Sequence, residues 1–141
     1  MQPVVLLLSI FMAFLVASCS LRGAETLEAT DLDQQQVLDA QAQHLRHVQV
    51  TIVAPVLKIL PDDTQGIPHE RFLIALSNGT SILIAHDTRL APRVPVEAGD
   101  KLKICGEYIW NEKGGVIHWT HHAIGGIHPG GYIELNGQRY E

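Results

Sequence analysis

The sequence has 141 residues, enough for one domain and hardly for two. Its formal net charge is −5, and non-specific binding to nucleic acids depends mostly on cationic contacts to phosphate, so that role is not expected. Hydrophobic residues make up 46% of the chain, which is sufficient for a buried core.

The N-terminal segment has the pattern of an export signal. Residues 4–16 form an uncharged apolar run, which is too short for a bilayer core of about 30 Å, since crossing it takes about 20 residues. The run ends at Val16-Ala17-Ser18-Cys19. Small residues before a cysteine resemble the lipobox of bacterial lipoproteins, which implies that Cys19 is acylated and becomes the mature N-terminus. An ordinary secretory signal with an incidental cysteine is the alternative.

We therefore divide the chain into four parts. Residues 1–18 are the signal peptide, 19–30 a lipidated tether, 31–47 a helix and 48–141 a β domain. The lipid anchor makes the membrane a partner, because each buried methylene contributes about 0.8 kcal/mol and two or three acyl chains hold a protein almost permanently. The lipobox resemblance implies an exported protein at the outer membrane, facing the periplasm.

The helix at residues 31–47 is expected to pack on the β domain. Leu38, Ala42 and Leu45 form one thin apolar face. His44 and His47 fall in its expected last turn, where a charged imidazole suits the helix dipole.

From Val48 onward the sequence predicts strands separated by turns. Asn78-Gly79 and Asn136-Gly137 are strong hairpin signals, and Lys113-Gly114-Gly115 is a further turn. The expected strands are Val48–Leu60, Arg71–Ser77, Thr80–His86, Lys101–Trp110 and Val116–His122. These features indicate a mainly β fold, a small five-stranded OB-like barrel with an N-terminal helix and a C-terminal hairpin. A β-sandwich is the alternative.

One cysteine remains for the folded body. With Cys19 lipidated, Cys105 has no intramolecular disulfide partner. It lies within an apolar strand pattern, so we expect it to pack in the core as a small hydrophobic residue.

Histidine is the unusual residue of this chain, with eight in all. Four of them, His118, His121, His122 and His128, occupy one short stretch. On a strand, His118 and His122 would lie about 13 Å apart, too far to chelate one ion together. A divalent transition metal would therefore need ligands from elsewhere, and the candidate set is His86, His118, His121 and His128, with His69 as a further possibility. The alternative is that most of these rings form structural hydrogen bonds.

Aromatic residues form a second cluster. Tyr108 and Trp110 share the phase of the core residues on their strand, whereas Trp119 is better placed for a ligand. An exposed ring of this kind can stack on a sugar or a base. The expected ligand-binding residues are Trp119, His118, His121, His122 and Trp110.

Several stretches resemble a bacterial family, domain of unknown function 3465. They include Pro61-Asp62-Asp63-Thr64-Gln65-Gly66, Leu83-Ile84-Ala85-His86 and the segment from Trp110 to His121. The resemblance covers about Val48 to the C-terminus. It implies a small exported domain and carries no activity with it.

Three functions remain open on this basis. The first is a non-enzymatic binding module for an unknown small ligand, and the second is a periplasmic protein that binds or uses zinc or copper. The third is a small hydrolase such as a nuclease. Catalysis has the least support, because the sequence has no Gly-x-Ser-x-Gly motif and no spacing that pairs a general acid with a base.

Overall fold

The computed structural model describes residues 34–141. One helix, α1, spans residues 34–42. The strands are β1 Arg46–Asp63, β2 His69–Ala75, β3 Ser81–Asp87, β4 Lys101–Ile109, β5 Val116–His118, β6 Tyr132–Leu135 and β7 Gln138–Tyr140. The predicted signal peptide, Cys19, the predicted tether and the expected start of the helix lie outside the described residues. Among the residues from 34 onward, no helix has the length and apolar character needed to cross a bilayer.

Five strands close into a ring. The order is β1-β2-β3-β5-β4, and β4 pairs again with β1. Only the contact between β3 and β5 is parallel in this ring. The 18 residues of β1 reach both neighbours, since its first half pairs with β4 up to Pro55 and its second half pairs with β2 from Val56. The predicted mainly β, five-stranded OB-like arrangement is confirmed, and β6 and β7 form the predicted C-terminal hairpin.

Alternate residues of the ring strands fill its interior, as the period of two along a strand requires. Tyr108 is fully buried, as its phase predicts, and its hydroxyl donates to the Gly114 carbonyl over 3.0 Å. Cys105 is only half-buried, which corrects the expectation of a core thiol, because its strand position faces Gln49 and the Gly130 carbonyl rather than the interior. The hydrophobic core includes Val50, Ile52, Ala54, Phe72, Ile74, Ile82, Ile84, Leu102, Ile104, Ile117 and Ile133.

Both predicted Asn-Gly hairpins are confirmed. The turn between β6 and β7 has Asn136 at φ 51° and Gly137 at φ 81°, the pair of positive angles that a type I′ turn needs. The turn at Asn78-Gly79 joins β2 to β3, where the Leu76 N–H donates to the Thr80 carbonyl and the Gly79 N–H donates to the Leu76 carbonyl. These turns fix the strand register and with it the residues that face inward.

The helix is shorter at its C-terminal end than predicted. It ends at residue 42 because His44 adopts φ 55°, and the Leu45 N–H donates to the Ala40 carbonyl over 2.9 Å. A left-handed residue with this six-to-one hydrogen bond is a Schellman cap. His44 therefore caps the helix. His47, at φ 61°, forms a bulge in β1 opposite β4, so neither histidine lies in a last helical turn.

Glutamines attach α1 to the ring. Gln34 is buried, and its amide donates to the Val53 carbonyl over 2.9 Å while its oxygen accepts the Ser77 N–H at the same distance. The buried apolar positions are Val37 and Ala40. Of the face predicted from Leu38, Ala42 and Leu45, only Leu38 packs against the core. The helix turns its 34-37-40 row inward and leaves Ala42 and Leu45 exposed.

Candidate functional site

The candidate site begins at the end of β5. The strand stops at His118, because Trp119 has φ 53° and turns the chain out of the sheet. The predicted extension of this strand to His122 is wrong. Neighbouring side chains on a strand point to opposite faces, whereas the rings of His118 and Trp119 stack with centroids 4.8 Å apart. The separation expected for His118 and His122 along a straight strand therefore does not apply.

The segment that follows is a loop closed at its base, which we call the histidine loop, residues 119–131. The Gly131 N–H donates to the His121 carbonyl over 2.8 Å. Gly131 lies so close to the chain that a Cβ atom would be 2.1 Å from the Trp119 carbonyl oxygen and 2.5 Å from that of Cys105. Only glycine fits this position.

A cavity of about 340 Å³ lies between the histidine loop and the ends of β2 and β3. It brings four of the predicted site residues together, namely His118, Trp119, His121 and His128. His69, the further possibility for a metal ligand, also lies in the wall. The remaining lining residues are Ile67, Ala85, Asp87, Arg89 and Leu90.

Two predicted binding residues lie elsewhere. The side chain of His122 is exposed and does not line the cavity. Trp110 stacks on His44 with ring centroids 3.9 Å apart, in a separate groove beside α1 that also includes Gln41. Trp110 is therefore part of the helix contact and is not part of the cavity wall.

His86 is fully buried beneath the site, and both of its ring nitrogens are engaged. Nε2 lies 3.0 Å from the Pro92 carbonyl, which can only accept, so this nitrogen carries the proton. Nδ1 therefore accepts from the Thr120 hydroxyl over 2.8 Å. Burial lowers the pKa of His86, which favours this neutral form. His86 has no free nitrogen for a metal, so the four-histidine set is not assembled as predicted.

His121 and His128 share one arrangement. In each ring Nδ1 donates to the carbonyl of the following residue, over 2.9 Å to His122 and 2.7 Å to Pro129. Each neutral ring then has Nε2 as its acceptor nitrogen. The two rings meet edge to face with centroids 5.0 Å apart. Burial lowers the pKa of His121, so its ring is neutral at neutral pH.

His118 and Trp119 form the neighbouring part of the wall. The His118 Nε2 lies 3.1 Å from one oxygen of Glu107, and His47 Nδ1 lies 3.0 Å from the same oxygen. The strand register supplies this contact, since Glu107 pairs directly with His118. Trp119 also stacks on His128, with centroids 4.4 Å apart. Its ring is thus packed against imidazoles on this loop, and it is not a bare platform.

An ion pair between Asp87 and Arg89 forms the part of the cavity wall next to β3. Asp87 is buried and accepts the Arg89 backbone N–H over 2.9 Å as well as its guanidinium. Burial alone would raise the pKa of Asp87, but the hydrogen bonds from Arg89 lower it below its ordinary value. Sequence reasoning did not place Asp87 and Arg89 at the site. The available signal is an Asp-x-Arg sequence directly after a buried strand.

Within the described residues, no three side chains of histidine, cysteine, aspartate or glutamate are already grouped to hold a metal ion. The arrangement instead offers acceptor nitrogens on an apolar wall. Such a surface can accept hydrogen bonds from a ligand or coordinate an ion through imidazole.

Comparison with curated proteins gives no match. A family described as "Protein of unknown function (DUF3465)" matches residues 15–141. The match begins well before Val48, where the resemblance noted in the sequence starts, and therefore includes α1. Since it covers most of the 141 residues, the chain belongs to the DUF3465 family.

Proposed function

We propose that the protein is a lipid-anchored envelope protein that binds a small ligand in the cavity beside the histidine loop, without catalysis. One observation carries this proposal. The end of β5 brings His118, and the loop closed at its base brings Trp119, His121 and His128, to the wall of one cavity. A volume of about 340 Å³ also lies in the range of small-molecule sites, roughly 300–1,000 Å³.

The chemistry of the wall favours an uncharged ligand with hydrogen-bond donors. Ile67, Leu90 and Trp119 supply apolar surface. His121 and His128 present acceptor nitrogens, as their backbone contacts require. The cation of Arg89 is paired with Asp87 and is therefore not free to hold an anion. A sugar or another hydroxylated ring has this combination of apolar body and donor groups.

The position of the cavity also supports a binding role. OB-type domains bind ligands on the face of strands two and three and at the loop between strands one and two. Here the wall includes Ile67 from the β1–β2 loop, His69 from β2 and Ala85 from β3. The likeness to those domains is one of fold alone.

The carboxylates beside the histidines are engaged in structural contacts, which favours binding over acid–base catalysis. Glu107 accepts from His47 and His118, and Asp87 accepts from Arg89. A carboxyl group acts as a general acid or base only when it can reach the substrate proton, and these two carboxylates are held by other side chains.

Ligand binding can be followed through Trp119. The chain has two tryptophans, so Trp110→Phe leaves Trp119 as the one indole reporter. We expect at least one compound from a panel of monosaccharides, disaccharides and nucleosides to change its fluorescence in tag-free protein. His121→Gln should weaken this response about tenfold or more, because a buried partner is removed. The exposed His122→Gln variant is the control and should respond normally. A panel without any response in the parent protein would contradict the proposal.

Anchoring is tested separately through Cys19. In cells grown with labelled palmitate, the parent protein should carry label and fractionate with membranes, since acyl chains supply the membrane affinity. Cys19→Ser should lose the label and remain as the longer precursor. Cys105→Ser, a second cysteine-to-serine change, should keep the label. Label that persists in Cys19→Ser would disprove the anchor.

A further inference from the structure

We infer that the acceptor nitrogens of His121 and His128 together bind one divalent transition-metal ion of the zinc, copper or nickel type. This inference rests on the proposed binding function of the cavity and adds a second ligand class, because the two nitrogens that would accept hydrogen bonds from an uncharged ligand would coordinate the ion instead. It also removes His86 from the predicted set of metal ligands, since both nitrogens of that ring are hydrogen-bonded, one to Thr120 and one to Pro92.

The hydrogen bonds of the two rings are those of metal-binding histidines. A histidine that binds a metal through one nitrogen almost always donates its other N–H to a carbonyl or a carboxylate. His121 and His128 both do so through Nδ1, to the carbonyls of His122 and Pro129. The tautomer and the ring orientation are thus fixed before any ion arrives. Since Nδ1 is used, Nε2 is the nitrogen left for coordination.

The distance between the two rings also suits the coordination of one ion by both. Two imidazoles bound to one ion through bonds of about 2.0–2.1 Å at a tetrahedral angle have ring centres about 5 Å apart. The centroids of His121 and His128 are 5.0 Å apart, with ring planes at 89°.

The residues around these two rings determine whether the metal site is open or closed. His69 and Asp87 lie in the same cavity wall, but no group of three ligating side chains is already assembled in residues 34–141. The protein therefore offers two nitrogens, and water completes the coordination. Such an open site binds an exchangeable ion more weakly than a closed structural site. Imidazole nitrogen selects zinc, copper and nickel over magnesium and calcium, which prefer oxygen ligands.

Titration of the full-length, tag-free protein with zinc or nickel chloride tests the inference. We expect one equivalent to bind at pH 7.5, and binding to weaken at pH 5.5 because protons compete for the nitrogens. His121→Gln and His128→Gln should each weaken binding by about tenfold or more. His122→Gln removes a neighbouring exposed histidine and should leave affinity unchanged. Magnesium chloride should give no heat of binding.

Nitrogen-15 NMR of the histidine rings gives a second readout that does not depend on variants. Zinc should shift Nε2 of His121 and His128 while Nδ1 keeps its proton. Binding that survives both variants, or that shifts His122 instead, would overturn the inference. If zinc does not bind but a compound of the organic panel still changes Trp119 fluorescence, the metal inference fails and the binding function stands. If neither binds, both fail.

Discussion

Gly131→Ala is expected to destabilise the protein by about 3 kcal/mol or more, because the added Cβ has no room. It would meet two backbone carbonyl oxygens, of Trp119 at 2.1 Å and of Cys105 at 2.5 Å. Backbone atoms cannot rotate away as a side chain can, so β4 or the histidine loop has to shift. The melting temperature, followed by circular dichroism, should fall by roughly 10 °C or more.

The neighbouring Gly130→Ala is the matched control. Its Cβ would have Ala123 N as its nearest contact at 3.4 Å, which is ordinary van der Waals distance. We expect a change of less than about 1 kcal/mol, the usual size for glycine-to-alanine changes at compatible positions. Equal stabilities for the Gly131 and Gly130 variants would show that the close approach at the loop base is not tight in solution.

Acidification from pH 7.5 to 5.5 should lower the free energy of unfolding. Burial lowers the pKa of His86 and of His121 below the 6.5 of an ordinary histidine. The unfolded state therefore binds more protons once the pH falls below about 6.5, and stability decreases until the folded rings also become protonated. A difference of one proton corresponds to about 1.4 kcal/mol per pH unit. Urea denaturation at several pH values measures this slope.

Two variants test whether His86 contributes to this slope of stability against pH. His86→Gln removes the titrating ring and should flatten the profile while lowering stability overall, since the Thr120 and Pro92 partners lose their geometry. His122→Gln, at an exposed site, should leave the profile unchanged. Glu70 has the opposite effect on stability at lower pH. Burial raises its pKa, so the folded state binds more protons there than the unfolded state and gains stability as the pH falls. If the His86 variant does not fold, NMR titration of the parent ring decides: protonation of His86 at or above pH 6.5 would contradict the explanation.

The ring of strands was predictable because its signals are local. The alternation of Phe72, Ile74, Ile82 and Ile84 sets the buried face. Asn136-Gly137 supplies a turn whose positive φ angles need those residue types. Both signals lie within a few residues of the structure that they specify, so no tertiary information is needed to interpret them.

The errors in the bounds of the helix and of β5 arose where histidine or tryptophan takes a left-handed backbone angle. His44, His47 and Trp119 all do so, and each ends or interrupts an element that composition alone would extend. Histidine and tryptophan are not the usual residues at such angles. Tertiary contacts accompany them here, such as the Glu107 carboxylate at His47 and the His128 ring at Trp119. These contacts join residues far apart in sequence.

The residue types of the candidate site were predictable, whereas their roles were not. The density of histidines near the C-terminus pointed to His118, His121 and His128, which the structure brings together at one cavity. In the sequence, His86 could not be distinguished from these three histidines as a candidate ligand. Its position at the end of β3 places it under Thr120 and Pro92, where both ring nitrogens are hydrogen-bonded. Only the folded chain distinguishes a ring that holds the loop from a ring that faces the cavity.

The hydrogen bond that joins Gly131 to His121 fixes the neck of the histidine loop, and the exposed residues 123–127 lie at its tip. These tip residues can change in length or composition without altering the strand pairing beneath them, because loop closure costs little more for a longer tip. Diversification of this protein would then proceed at the tip. Homologues with the same sheet could acquire different ligands there while keeping the glycine at the neck.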